Sequence, residues 1–355
     1  MRALMLTADY PEPVWSGIGT AVAAQAAALT AVGVDVHVLA PARADGPAAA
    51  PAGRGPVVHW LSGDRCPVRP AEFDVIHLHS LSLGELALEM RRRFRVPLVY
   101  TAHSLLEREL PGVPEAEGWR RLQVALMTRS DHVVFLSADE RTAALDRLPS
   151  LAGRSSVLPN GVAALPPAGP APEEPGPVVF AGRFARSKGM ALLDVIVRRL
   201  AGRYRFVVAG GHGDALGHRI ADGLAAAHPE ACRVVGWVDR ETLDRLFSGA
   251  GLVLIPSEYE PFGIVALEAM RVGAPVLAAA VGGLVEAVGP GSGGRLVRSR
   301  DPRVWCEAIH EILGAPALRR ELRRRGPAYV ALRHDPVRLA RRLVDEVYRP
   351  VREVA

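Results

Sequence analysis

The chain has 355 residues, more than one domain usually holds, and its 49% hydrophobic content can fill two cores, so two domains are expected and disorder and fibrous repeats are excluded. Lys and Arg number 43 against 38 Asp and Glu, and the net charge of +5 is spread along the chain with no block long enough for a nucleic-acid tail. From the N-terminus, Arg2 to Thr7 reads as a buried strand, Thr20 to Val32 as an alanine-rich helix and Asp35 to Ala40 as a strand. Residues 41–56, rich in Ala, Pro and Gly, read as a surface loop. Val75 to His79, Leu98 to Ala102 and His132 to Leu136 are further strands, and strand-helix alternation means a parallel sheet wrapped by helices.

Between Leu165 and Pro177 prolines remove backbone donors and fix φ, so neither helix nor sheet ladder can form and a linker is expected. The pattern then restarts, with Val178 to Ala181, Arg205 to Ala209 and Leu252 to Pro256 as strands. Arg319, Arg320, Arg323, Arg324 and Arg325 read as solvated helix faces, and Pro336 to Tyr348 as another amphipathic helix. The expected organisation is an α/β protein with a first domain over 1–164, a linker over 165–177, a second domain over 178–335, and a C-terminal helix over 336–355 packing back toward the first.

Cys66, Cys232 and Cys306 are far apart, odd in number and form no CxxC, which argues against a disulfide framework and a zinc knuckle and fits a reducing cytoplasm. Asp9 and Pro11 arrive too early for a signal-peptide core, and no apolar stretch approaches a membrane span. Lys188 is the only lysine among the 43 basic residues, and Asn160 the only asparagine. That bias fits codon pressure in a GC-rich genome, and it marks the two survivors as positions where Arg or Asp will not serve.

Four motifs carry chemistry. The loop after the first strand ends in Gly17-Ile18-Gly19 at a helix start, where glycines and the helix N-terminus suit an anion. Arg183 and Lys188 sit on a strand-to-helix loop, in the position needed to hold a diphosphate leaving group as charge develops on it. A compact ammonium can touch one phosphate oxygen where a guanidinium fork would not fit. Glu260 and Glu268, with seven residues between them, lie in a Gly/Pro loop and on the following helix, and the N–H groups of Phe262, Gly263 and Ile264 accompany them. Asn160-Gly161 has a structural reading as a turn needing φ > 0. A further cluster, Gly210-Gly211-His212-Gly213, is not a dinucleotide fingerprint, because Leu216 stands where a third glycine is required.

The first Gly loop, Pro159-Asn160-Gly161-Val162, Gly-Arg-x4-Lys-Gly and the Glu-Pro-Phe-Gly-x4-Glu segment, in this order along the chain, resemble the family-four retaining glycosyltransferases with two facing Rossmann-like domains, the GT-B fold. The resemblance covers nearly the whole chain. It implies that Glu268 binds the nucleotide ribose, Glu260 a hydroxyl of the donor sugar, and Phe262, Gly263 and Ile264 the sugar or phosphate. Arg183 and Lys188 would hold the diphosphate, approached by Gly17 and Gly19, and His103 would stand near the donor sugar and the attacking hydroxyl. Asp9, Glu107 and Asn160 are assigned to the acceptor. The family commonly has Asp after Asn-Gly-Val, where this chain has Ala163.

No Asp-x-Asp occurs, so no metal is expected and fixed cations must replace it. The expected reaction is a retaining, front-face transfer of a hexose from a nucleotide-diphosphate sugar, UDP-glucose or UDP-N-acetylglucosamine, with no cofactor beyond that co-substrate. Leu106 to Glu117 holds four carboxylates and one arginine, which favours a small polyhydroxylated, cationic acceptor such as an aminocyclitol of aminoglycoside antibiotic biosynthesis. The alternatives are a sugar-nucleotide epimerase of the same architecture and a glycosyltransferase acting on an inositol, lipid or polysaccharide. A nucleic-acid partner is not expected.

Overall fold

A computed structural model describes residues 1–10, 17–42, 55–61, 66–165 and 175–354. The chain divides into two compact units, one made of Met1–Gly161 with His334–Ala355, the other of Val162–Arg333. The junctions thus fall at Gly161/Val162 and Arg333/His334. Most of the Pro-rich stretch, part of the Ala/Pro/Gly loop and residues 11–16 of the first Gly loop lie outside the described residues. No helix among the described residues is long and apolar enough to cross a membrane.

The first unit holds a seven-stranded sheet in the order β3-β2-β1-β4-β5-β6-β7. Its strands are β1 (Arg2–Leu6), β2 (Asp35–Pro41), β3 (Val57–Leu61), β4 (Val75–Leu78), β5 (Leu98–Ala102), β6 (His132–Phe135) and β7 (Ser155–Val157), all paired in parallel. Neighbouring side chains along a strand point to opposite faces, so continuous apolar runs build two cores. Ala3, Met5, Val75, Val99 and Val134 pack on the helices Gly17–Ala31 and Pro336–Leu343. Leu4, Leu6, Ile76, Leu78, Leu98 and Phe135 pack on the helices Gly84–Phe94 and Glu117–Arg129. The C-terminal residues Leu339, Leu343, Val347 and Tyr348 thereby complete the core of the first unit.

The second unit repeats the plan with a six-stranded parallel sheet in the order β10-β9-β8-β11-β12-β13. Its strands are β8 (Val178–Arg183), β9 (Phe206–Gly211), β10 (Cys232–Gly236), β11 (Leu252–Ile255), β12 (Val276–Ala279) and β13 (Gly294–Val297). Val178, Phe180, Val208, Leu254 and Leu277 bury one face against Leu193, Ile196, Trp305 and Ile309. Strands β3, β7, β10 and β13 lie at or beside sheet edges and are only partly buried, so they lack the apolar run that announces a strand.

The arginine-rich helix Pro316–Arg333 departs from the solvated reading at two positions. Arg319 is buried and donates to the Leu313 carbonyl, at the end of the helix Pro302–Gly314. Arg323 donates to the Ser248 and Ala250 carbonyls, at the end of the helix Arg240–Ser248. Both guanidinium groups satisfy carbonyls that a helix C-terminus leaves unpaired, where its dipole favours positive charge.

Candidate active site

In each sheet the strand order reverses direction once, between β1 and β4 and between β8 and β11. Loops leaving the carboxyl ends of strands diverge at such a point and open a crevice for a ligand. In the second unit the loop after β8 carries Lys188 and the loop after β11 carries Glu260. Lys188 Nζ donates to Glu260 Oε2 at 2.8 Å, with side chains 18% and 12% exposed. The backbone locks this approach, since the N–H groups of Glu258 and Tyr259 donate to the Ser187 carbonyl at 2.8 and 3.2 Å. Gly189 follows at φ +78°, and a Cβ there would lie 1.9 Å from the Pro256 carbonyl oxygen. Glu260 is thereby held against Lys188. It is the partner of the one lysine.

Gly263 takes φ +97° and starts the helix Ile264–Arg271, which no side chain caps. Phe262 is buried, and Arg183 is exposed at the end of β8, in register with Gly211. Glu268 is buried on the helix and accepts from Arg240 Nη1 at 2.5 Å. Next to it Arg271 forks onto Asp244 at 2.5 and 2.7 Å and donates to the Ala163 carbonyl at 3.2 Å. At Ala163, where the family commonly has Asp, the backbone oxygen thus meets an arginine whose carboxylate partner is Asp244. A Cβ at Gly213 of the second glycine cluster, or at Gly217 on the helix that follows, would strike the Phe184 carbonyl oxygen, at 1.8 and 2.0 Å, so close loop packing accounts for these two glycines.

In the first unit, Ser80 ties the two loops of the crevice together, contacting Thr7 Oγ1 at 3.2 Å and accepting from the Ala8 N–H at 2.8 Å. Asp9 is half-buried on the first loop, and the helix Gly17–Ala31 begins at Gly17, with Gly19 buried. His103 follows β5, and its Nε2 lies 3.1 Å from His79 Nδ1. His103 and Asn160 line one cavity of about 10 Å³ with His79, Thr101, Gln25 and Val22, room for about one water molecule. The expected φ > 0 turn at Asn160-Gly161 is absent, because neither residue has positive φ. Gly161 is required for another reason: a Cβ there would come within 2.7 Å of Pro336 Cα.

Glu107 is exposed and ion-paired with Arg147. Within the same acidic stretch Glu117 pairs with Arg120, and Glu109 accepts from Ser104. Arginines outside the stretch therefore answer part of its charge.

Burial pushes His77 down to about 3 and His103 to about 4. Burial, with the Arg154 and Arg141 charges, lowers His132 to about 4. The unfolded chain takes protons on these rings below about pH 6.5, while the folded protein keeps them neutral to about pH 4, so acid favours unfolding across that window. Urea titrations should show stability flat above pH 7 and falling from pH 6.5 to 5, by up to about 1.4 kcal/mol per pH unit for each ring. Stability that rises on acidification would show that the rings are charged.

The structure thus joins Lys188 to Glu260, sets Phe262, Gly263, Ile264 and Glu268 on the adjoining turn and helix, and brings His103 and Asn160 to one cavity. It does not bring Glu107 to that cavity. Sequence reasoning missed Arg240, one arginine among many, and His79, although the spacing of His77 and His79 places both on one strand face.

Two Rossmann-like units with polar and charged groups gathered where their strand orders reverse define a two-domain α/β enzyme with ligand-binding loops. Residues 15–164 match the model of Glycosyltransferase Family 4, and residues 163–329 that of Glycosyl transferases group 1. The chain belongs to the family-four glycosyltransferases. It is 31% identical to alpha-maltose-1-phosphate synthase of Mycolicibacterium smegmatis, over 90% of this chain and 92% of that protein. It is 32% identical to D-inositol 3-phosphate glycosyltransferase of Nocardia farcinica, over 74% of this chain but only 63% of the relative. The structure of Anabaena HepE in complex with UDP-glucose shares the fold, with a TM-score of 0.79 at 19% identity, covering 98% of this chain and 99% of that one.

Proposed function

We propose that this glycosyltransferase transfers a hexose, with retention and without a metal ion, from UDP-glucose or UDP-N-acetylglucosamine to a hydroxyl of a small cyclitol. The observation that carries the reading is the Lys188–Glu260 pair at the switch point of the second sheet. An ammonium has three N–H donors, so Lys188 can hold Glu260 with one and offer two to the diphosphate. Glu260 Oε1, which no described residue occupies, accepts a hydroxyl of the donor sugar, and Glu268, held by Arg240, accepts from the ribose. Arg183 adds a second cation. HepE solved with UDP-glucose supports the donor class.

As the bond from the sugar anomeric carbon to the phosphate oxygen breaks, its electron pair passes to the diphosphate, and Lys188 stabilises that charge. The acceptor oxygen bonds to the same face of the sugar and its proton goes to a phosphate oxygen.

An aminocyclitol acceptor rests on the carboxylates of residues 106–117. The Glu107–Arg147 and Glu117–Arg120 pairs weaken the field such an acceptor would feel, and this favours a second reading, a neutral or phosphorylated cyclitol. The inositol phosphate glycosyltransferase among the relatives supports the cyclitol class. The test is a panel of aminated, neutral and phosphorylated cyclitols with each UDP-sugar, in EDTA and in manganese, with the product anomer read by NMR. An α-linked product at undiminished rate in EDTA is expected. A β-linked product, a manganese requirement, or epimerised UDP-sugar without an acceptor would refute the reading.

A further inference from the structure

Behind His103 lies a buried arrangement of polar side chains that the transfer reaction does not explain. His77 Nδ1 is 2.7 Å from Tyr348 Oη and its Nε2 is 2.7 Å from Thr101 Oγ1, so both its nitrogens are occupied. Its ring lies 4.1 Å from that of His79, which is 4% exposed and contacts His103 through Nδ1. The other nitrogen of His79, Nε2, has no partner among the described residues, and neither has Gln25 Oε1. Both residues line the cavity that His103 and Asn160 also line.

A neutral imidazole has one N–H and one lone pair, so the His79–His103 contact needs a donor on one side and an acceptor on the other. The cavity bears on which. Gln25 Oε1 accepts only, and with a lone pair on His79 Nε2 both unpartnered atoms lining the cavity would be acceptors, dependent on one water giving up both its protons. Without that water each would carry the desolvation cost of an unsatisfied group, about 1–3 kcal/mol. A proton on His79 Nε2 supplies the missing donor, passed on to Gln25 Oε1 through one water, for which the cavity has room. His79 Nδ1 then accepts from His103 Nε2–H, and His103 keeps a lone pair on Nδ1.

We propose that His79 is a positioning residue, holding the His103 ring as the Nε2–H tautomer so that Nδ1 can accept from a substrate hydroxyl. The hydrogen bond made by one ring nitrogen sets the state of the other. The proposal rests on the reading that His103 acts at the reacting centre.

The ring nitrogens of the ¹⁵N-histidine-labelled full chain report the tautomer by NMR, in wild type and in His79→Phe and His79→Asn. Wild-type His103 should show Nε2–H. Phenylalanine should mix the tautomers and lower kcat by about 100-fold with donor KM unchanged, the loss expected when a reacting group is misplaced. Asparagine puts an amide where Nδ1 stood and should restore the tautomer and most of kcat. Nδ1–H on His103 in the wild type, which can be read even if a variant does not fold, overturns the proposal, as does an asparagine variant no better than phenylalanine. His103→Ala separates the two readings: undiminished turnover in that variant refutes a reacting-centre role for His103, whatever the tautomer.

Discussion

Lys188→Ala should lower kcat by two to three orders of magnitude, the effect of losing about 2.7–4 kcal/mol of transition-state stabilisation from one preorganised donor. Folding should change little, because the side chains of Lys188 and Glu260 are 18% and 12% exposed, leaving the orphaned carboxylate some access to water. Lys188→Arg should also be impaired. It keeps the charge, but a planar fork replaces a compact ammonium between Glu260 and the phosphate. Steady-state kinetics beside thermal melts test both, and an alanine variant within severalfold of wild type at an unchanged melting temperature would remove Lys188 from the chemistry.

Gly189→Ala should damage stability and activity together, although the residue offers no functional group. The left-handed backbone at φ +78° costs a residue with a Cβ about 1–2 kcal/mol. The Cβ also meets the Pro256 carbonyl oxygen at 1.9 Å, and such overpacking costs about 1–3 kcal/mol more. Relief requires moving the loop of Lys188 away from the loop of Glu260, against the two hydrogen bonds that Ser187 accepts. The melting temperature should therefore fall and kcat with it. Gly202→Ala is the control, since a Cβ there meets nothing within 4 Å, and both variants melting alike would show that the contact does not constrain the loop.

The parts of the candidate site that sequence reveals are those whose signal is local. Lys188 stands out as the only lysine in an arginine-rich chain, and Glu260 and Glu268 by their spacing around a Gly/Pro loop. Asn160 stands out as the only asparagine; the φ > 0 turn read at Asn160-Gly161 is absent, and the residue lines the cavity of His103 instead. Arg240 carries no local signal separating it from the other arginines, and only its position opposite Glu268 distinguishes it. Arg319 and Arg323 read as solvated for the same reason, because the carbonyls they meet belong to other helices.

By itself, the sequence determined two successive α/β halves and placed charged residues on the loops that follow their strands. Apolar runs, helix periodicity and proline-rich breaks are properties of neighbouring residues, and they survive being read one segment at a time. Only the tertiary structure decided which groups meet. Lys188 finds Glu260 across 72 positions, and His77 finds Tyr348 across 271. Those meetings depend on strand order and on the C-terminal helices joining the first core. Periodicity records which face of a strand is buried but not which strand lies beside it, so the partners emerge only when the sheets assemble.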